Sequence, residues 1–207
     1  MCETTNSKGI KVIAPSNRDW ITLNSTGLTL TTSSITVGGQ PIDNRRIKFY
    51  KGTPDTGWIT YNSVRKYIEH GYLNGYWYPD PDEEIFEAGA GLAEFIPYVV
   101  WKLGRRLKHR PVVVDPLDYN LVIKLLQRFI HEGINPEQVP TARELIKRAQ
   151  IILDPRYVEL INLPFLEALD YPAFQRKYDL VIDHFGPWMY SPCSMQVSNI
   201  LTSLRRQ

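Results

Sequence analysis

The sequence has only two cysteines in 207 residues, Cys2 and Cys193. That scarcity excludes a disulfide-stapled scaffold. The two stand near opposite ends, nothing in their spacing pairs them, and no Cys/His pattern accompanies them, so no metal site is expected. Unpaired thiols fit a reducing, cytoplasmic setting. Long apolar runs are also missing. No window approaches the ~18 residues that a spanning helix needs, and the start "MCETTNSKGIK" lacks the apolar stretch of a secretory signal, so no membrane partner is expected. A dominant charge is missing too: 24 Lys and Arg against 22 Asp and Glu leave +2, too near neutral to argue for nucleic acid. The one basic run, "KLGRRLKHR" at 102–110, reads as a solvated helix end. No internal repeat or low-complexity tract is present.

What remains is 43% hydrophobic and 12% aromatic, enough for a sizeable core. Two regimes divide the chain. Residues 1–80 form an N-terminal extension. "DWITLNSTGLTLTTSSITVGG" gives short β runs with turn breaks, and "NSVRKYIEHGYLNG", inside a stretch rich in Tyr and Trp, gives a short helix. This extension reads as a lid or cap. "YPDPD" at 78–82 breaks the chain. Within 81–207 strands and helices alternate. "EIFEAG", "RPVVVDP", "RYVELIN" and "YDLVIDHFG" are strands. "LAEFIPYVVWKLGRRL", "LDYNLVIKLLQRFIHEG" and "PTARELIKRAQIIL" are helices, the last with Thr141 and Glu144 in a capping-box arrangement. "PFLEALDYPAFQRK" is connecting structure, and "SMQVSNILTSLRRQ" is a closing helix. The fold class is α/β: a parallel sheet covered on both faces, with right-handed crossovers.

Ligands of such sheets bind outside the carboxyl ends of the strands. The first strand runs into Glu87-x-Gly89-x-Gly91-x-Ala93. Gly89 allows a tight bend, Gly91 lets backbone approach a ligand, and Ala93 is small enough for helix and strand to touch. Asp115, 24 residues after Gly91, ends the second strand, where a carboxylate can accept from both hydroxyls of a ribose. Glu87 beside the turn would repel a pyrophosphate and suits a ligand with ammonium and sulfonium groups. The plain alternatives are an ordinary strand–helix turn at the glycines and a helix-capping role for Asp115; the latter can coexist with ribose binding.

This run resembles the first motif of class I S-adenosylmethionine-dependent methyltransferases. "VVVDP" resembles their second motif, "YVELINLPFLEAL" their third strand and adenine loop, and "YDLVIDHFGPWMY" their fourth motif. The resemblance implies a Rossmann-like sheet of order 3-2-1-4 and S-adenosylmethionine as cofactor. It implies that Gly89 and Gly91 line the methionine moiety, Glu87 faces its amino group, Asp115 holds the ribose, and Asn162 or Leu163 lies against adenine. Asn162 departs from the acidic residue often found there. Asp183 and His184 would face both the methionine moiety and the acceptor, and either could serve as the base. Trp188 and Tyr190 read as packing residues.

Methyl transfer to an unidentified acceptor follows from the resemblance. "DHFGPWMY" is not the Asn-Pro-Pro-Tyr loop of nucleic-acid amino methyltransferases, so a small molecule or protein is favoured over a base. Two alternatives stand beside this reading: a catalytically silent methyltransferase-like binding or assembly domain, and a nucleotide-dependent oxidoreductase. The Arg65–His70 spacing matches a helical-nuclease pattern too short to carry weight. The family's sheet has seven strands and this chain shows four, which leaves the fourth as an edge. The N-terminal strands or a second copy in a homodimer would cover it.

Overall fold

The computed structural model describes residues 78–132, 139–183, 186–191 and 193–206, together with seven N-terminal strands and Val64. The N-terminal strands are β1 (Lys11–Val12), β2 (Trp20–Asn24), β3 (Gly27–Thr31), β4 (Ile35–Val37), β5 (Gln40–Pro41), β6 (Arg46–Lys51) and β7 (Ile59–Tyr61). They form two sheets, ordered β1-β4-β5 and β2-β3-β6-β7. All pairs are antiparallel except β6 with β7. The β-rich reading of this region therefore holds. The helix read over 62–75 lies outside the described residues apart from Val64.

The second unit is a parallel sheet. Its strands are β8 (Ile85–Ala88), β9 (Val112–Val114), β10 (Glu159–Ile161) and β11 (Leu180–Ile182), and their order is β10-β9-β8-β11. In chain order that is 3-2-1-4, the Rossmann-like arrangement expected. Both faces are covered, and side-chain alternation shows it. Ile85, Val113 and Ile182 enter one core with Phe95, Ile96 and Val99 of α1 (Phe95–Leu103), Val122 and Leu126 of α2 (Tyr119–Glu132), and Leu145, Ala149 and Ile152 of α3 (Val139–Leu153). Phe86, Ala88, Val112, Val114 and Ile161 enter a second core with Phe165, Tyr178, and Val197 and Leu204 of α5 (Ser194–Leu204). There Phe86 meets Phe165, Phe174 and Tyr178 at ring-centroid distances of 6.5, 5.4 and 5.1 Å. The link from β10 to β11 carries this aromatic cover in two short 3-10 turns, Phe165–Glu167 and Pro172–Gln175, rather than in a long helix.

Several boundaries move for physical reasons. α1 begins at Phe95, with Pro97 in its first turn, and stops at Leu103 because Gly104 turns left-handed at φ +50. The basic residues beyond it are exposed, as the solvated-end reading required. α3 starts at Val139, so Thr141 lies within the helix and does not cap it, and Glu144 accepts instead from Arg148 Nε at 3.1 Å. Cys193 is disulfide-bonded, so the argument from unpaired thiols to a reducing compartment fails. No described helix is long and apolar enough to cross a membrane.

The N-terminal strands form sheets of their own and do not extend the parallel one. β11 pairs with β8 on one side. On its other side a single parallel bridge joins Tyr178 to Arg205, through Tyr178 N–H to Leu204 carbonyl (2.8 Å) and Arg206 N–H to Tyr178 carbonyl (2.9 Å). Arg206 is held there by Asp179 and Glu84, at 2.8 and 3.1 Å.

Candidate functional site

The carboxyl ends of β8, β9 and β10 are laced together by backbone. Gly89 N–H donates to Val114 carbonyl (2.8 Å) and Asp115 N–H to Ile161 carbonyl (3.1 Å). The turn after β8 then runs through two left-handed glycines, Gly89 at φ +68 and Gly91 at φ +53, a conformation costly to any residue with a Cβ. Gly89 also lacks room: a Cβ there would stand 2.6 Å from Gly186 Cα and 2.9 Å from Pro187 Cδ. The turn after β11 thus presses on the turn after β8.

Asp115 is the hub. It is 2% exposed. Its Oδ2 accepts from Gly91 N–H and its Oδ1 from Leu117 N–H, each at 2.7 Å. Burial pushes its carboxyl up to about 6, against the pull of those two amides. The Leu117 contact closes a local turn ahead of α2, which starts only at Tyr119, so Asp115 does not cap that helix as the alternative reading expected; the Gly91 contact clamps the glycine turn. Tyr119, also buried, donates its hydroxyl to the Gly91 carbonyl at 2.9 Å. Burial first, then the Asp115 and Glu87 carboxylates, holds the Tyr119 phenol well above its ordinary range, so it serves as a donor. Glu87 is 2% exposed and lies one residue before the strand's end.

The remaining sequence candidates fall in different places. Asn162 donates its side-chain amide to the carbonyls of Asp115 (2.8 Å) and Leu117 (2.7 Å), so it braces the same corner. Leu163 is half-buried against the second core. Asp183 follows β11. Its Oδ1 accepts from Gly186 N–H (2.7 Å) and its Oδ2 from Trp188 N–H (2.9 Å), which caps the short α4 (Pro187–Tyr190). Burial pushes its carboxyl up to about 6 as well. His184 lies outside the described residues. Trp188 is 52% exposed, so its packing role is not realised; it borders a cavity of about 210 Å³ with Val181, Asp183, Ser198, Leu201, Thr202 and Arg205. Among the described residues no cluster fit to hold a metal appears.

Glu87, Gly89, Gly91, Asp115 and Asp183 therefore converge at one end of the sheet, and Asn162 joins them through backbone. Sequence reading missed Tyr119, Glu94 and Arg148. The signal for Arg148 was present: it sits in the buried stripe of α3 with Leu145, Ala149 and Ile152, where an unanchored guanidinium is not tolerated. No family model, no curated protein and no solved structure matches the chain.

Proposed function

We propose that this end of the sheet binds S-adenosylmethionine and that the protein is a methyltransferase. One observation carries the reading. Two left-handed glycines form a turn bordered by three acidic residues, Glu87, Asp115 and Asp183. That chemistry favours a cationic ligand without phosphate and disfavours the pyrophosphate of a dinucleotide. The donor set fits: each oxygen of Asp115 accepts one amide and retains a lone pair for a ribose hydroxyl.

The bound cofactor would supply an electrophilic methyl group on sulfur. The chain's own task is to hold and orient. Glu87 balances the positive charge, the Gly89–Gly91 turn brings backbone close, and Asp115 holds the sugar. Asn162 keeps the Asp115 corner rigid, and Leu163 borders the base. Where the acceptor must lose a proton, Asp183, raised to about 6, or the adjacent His184 would take it. The acceptor is a small molecule or protein group, because the 183–190 turn lacks the amide that would bind a base's exocyclic amine. The proposal includes a cytoplasmic setting.

A second reading, a methyltransferase-like domain without turnover, draws support from the engagement of both Asp115 oxygens by the Gly91 and Leu117 amides. Titration calorimetry separates the readings. S-adenosylhomocysteine binds in the micromolar range, about −8 kcal/mol, and NAD does not. Heat from NAD alone points to an oxidoreductase and overturns the proposal; binding without transfer to any acceptor favours the silent domain.

A further inference from the structure

Arg148 lies in the apolar stripe of α3 and is 2% exposed. A guanidinium withdrawn from water must have its donors met. Its Nη1 donates to the Leu92 carbonyl at 3.1 Å, its Nε donates to Glu144 Oε1 at 3.1 Å, and its Nη2 stands 3.9 Å from Glu94 Oε1. Leu92 follows Gly91 and Glu94 precedes α1, so two of these contacts hold the outgoing limb of the glycine turn. Glu94 is shared. Its other oxygen, Oε2, accepts from the N–H of Val64 at 2.9 Å, a buried residue of the N-terminal extension 30 residues upstream.

We propose that Arg148 is a positioning residue for the glycine turn and that Glu94 couples this turn to Val64, so that ligand binding and the Glu94–Val64 hydrogen bond favour each other. The ligand half rests on the cofactor reading above; the mechanical half does not. The physical warrant is reciprocity: if the Val64 amide fixes Glu94 and hence the turn, a ligand that fixes the turn must favour that hydrogen bond by the same factor.

The test reads hydrogen exchange at the Val64 amide alongside S-adenosylhomocysteine affinity. Glu94→Ala removes the acceptor and speeds Val64 exchange by about tenfold or more. Glu94→Gln keeps an oxygen acceptor and restores slow exchange, a rescue that a general loss of stability would not show. Arg148→Met keeps much of the side-chain bulk, does not touch Val64, and still speeds its exchange several-fold. If that variant fails to fold, Arg148→Lys is read in the same way. Bound S-adenosylhomocysteine slows Val64 exchange in the unmodified protein, and Glu94→Ala binds it several-fold more weakly. Equal Val64 exchange in the unmodified and Arg148-substituted proteins overturns the latch. Val64 exchange indifferent to bound ligand overturns the coupling. No binding of S-adenosylhomocysteine at all removes only the cofactor reading, and the latch is then decided by the Arg148 variants.

Discussion

Asp115 and Asp183 each stand one residue beyond a strand of the same sheet, each accepts two backbone amides, and burial pushes each up to about 6. They differ in reach. Asp183 binds amides three and five residues ahead and so shapes its own turn. Asp115 binds one amide two residues ahead and another 24 residues back, across the strand boundary. The first organises a loop; the second joins two. A carboxylate that a sequence presents as a ligand contact can therefore be part of the scaffold as well, one lone pair of each oxygen serving an amide and the other left for a ligand.

The two turns meet at Gly89, and breaking that meeting gives the largest effect. Gly89→Ala imposes a Cβ on a left-handed backbone and drives it into Gly186 and Pro187. A loss of roughly 3–4 kcal/mol in denaturant unfolding is expected. Gly104→Ala is the control: it is also left-handed at φ +50 but has nothing within 4 Å, so it costs only about 1 kcal/mol.

The pH dependence comes next. Burial raises both carboxyls above their ordinary value of 3.8, so the folded chain favours their protonated forms. The stability each contributes is fully present below pH 3.8 and is lost as pH rises through about 6. For Asp115 a rise of roughly two pH units corresponds to about 3 kcal/mol. Asp115→Asn flattens the fall in stability between these limits; an unchanged slope would show that Asp115 is solvated in solution. Of the two carboxylates, the smaller effect is expected at the local turn. Asp183→Ala frees the Gly186 and Trp188 amides near the surface, with a loss of about 1–2 kcal/mol. Near-equal losses for Asp183→Ala and Asp115→Ala would erase the distinction between local and long-range clamps.

The strands and helices were legible because "VVV" at 112–114 leaves a strand little alternative and the helices carry a clear apolar stripe; the sheet order came only from the family resemblance. The glycine turn was legible as a turn. The contact between Gly89 and Gly186 was not, because 97 residues separate them and only the 1-4 strand pairing brings them together. The start of α1 was read three residues early because nothing local shows that 90–93 is held outside the helix by Tyr119 and Arg148. The capping box at Thr141 failed for a similar reason: Glu144 had a better partner one turn along the helix. The state of Cys193 carried no local signal at all.

The pairing of β8 with β11 has a consequence during synthesis. Ile85 waits for Leu180, its register partner, which leaves the ribosome 95 residues later. At about 5–20 residues per second that interval is roughly 5–20 s, during which one flank of β8 in a nascent chain presents unpaired backbone N–H and C=O groups. Chaperone dependence of newly made protein, greater than that of refolded full-length chain, is the trace such a delay would leave in a cell.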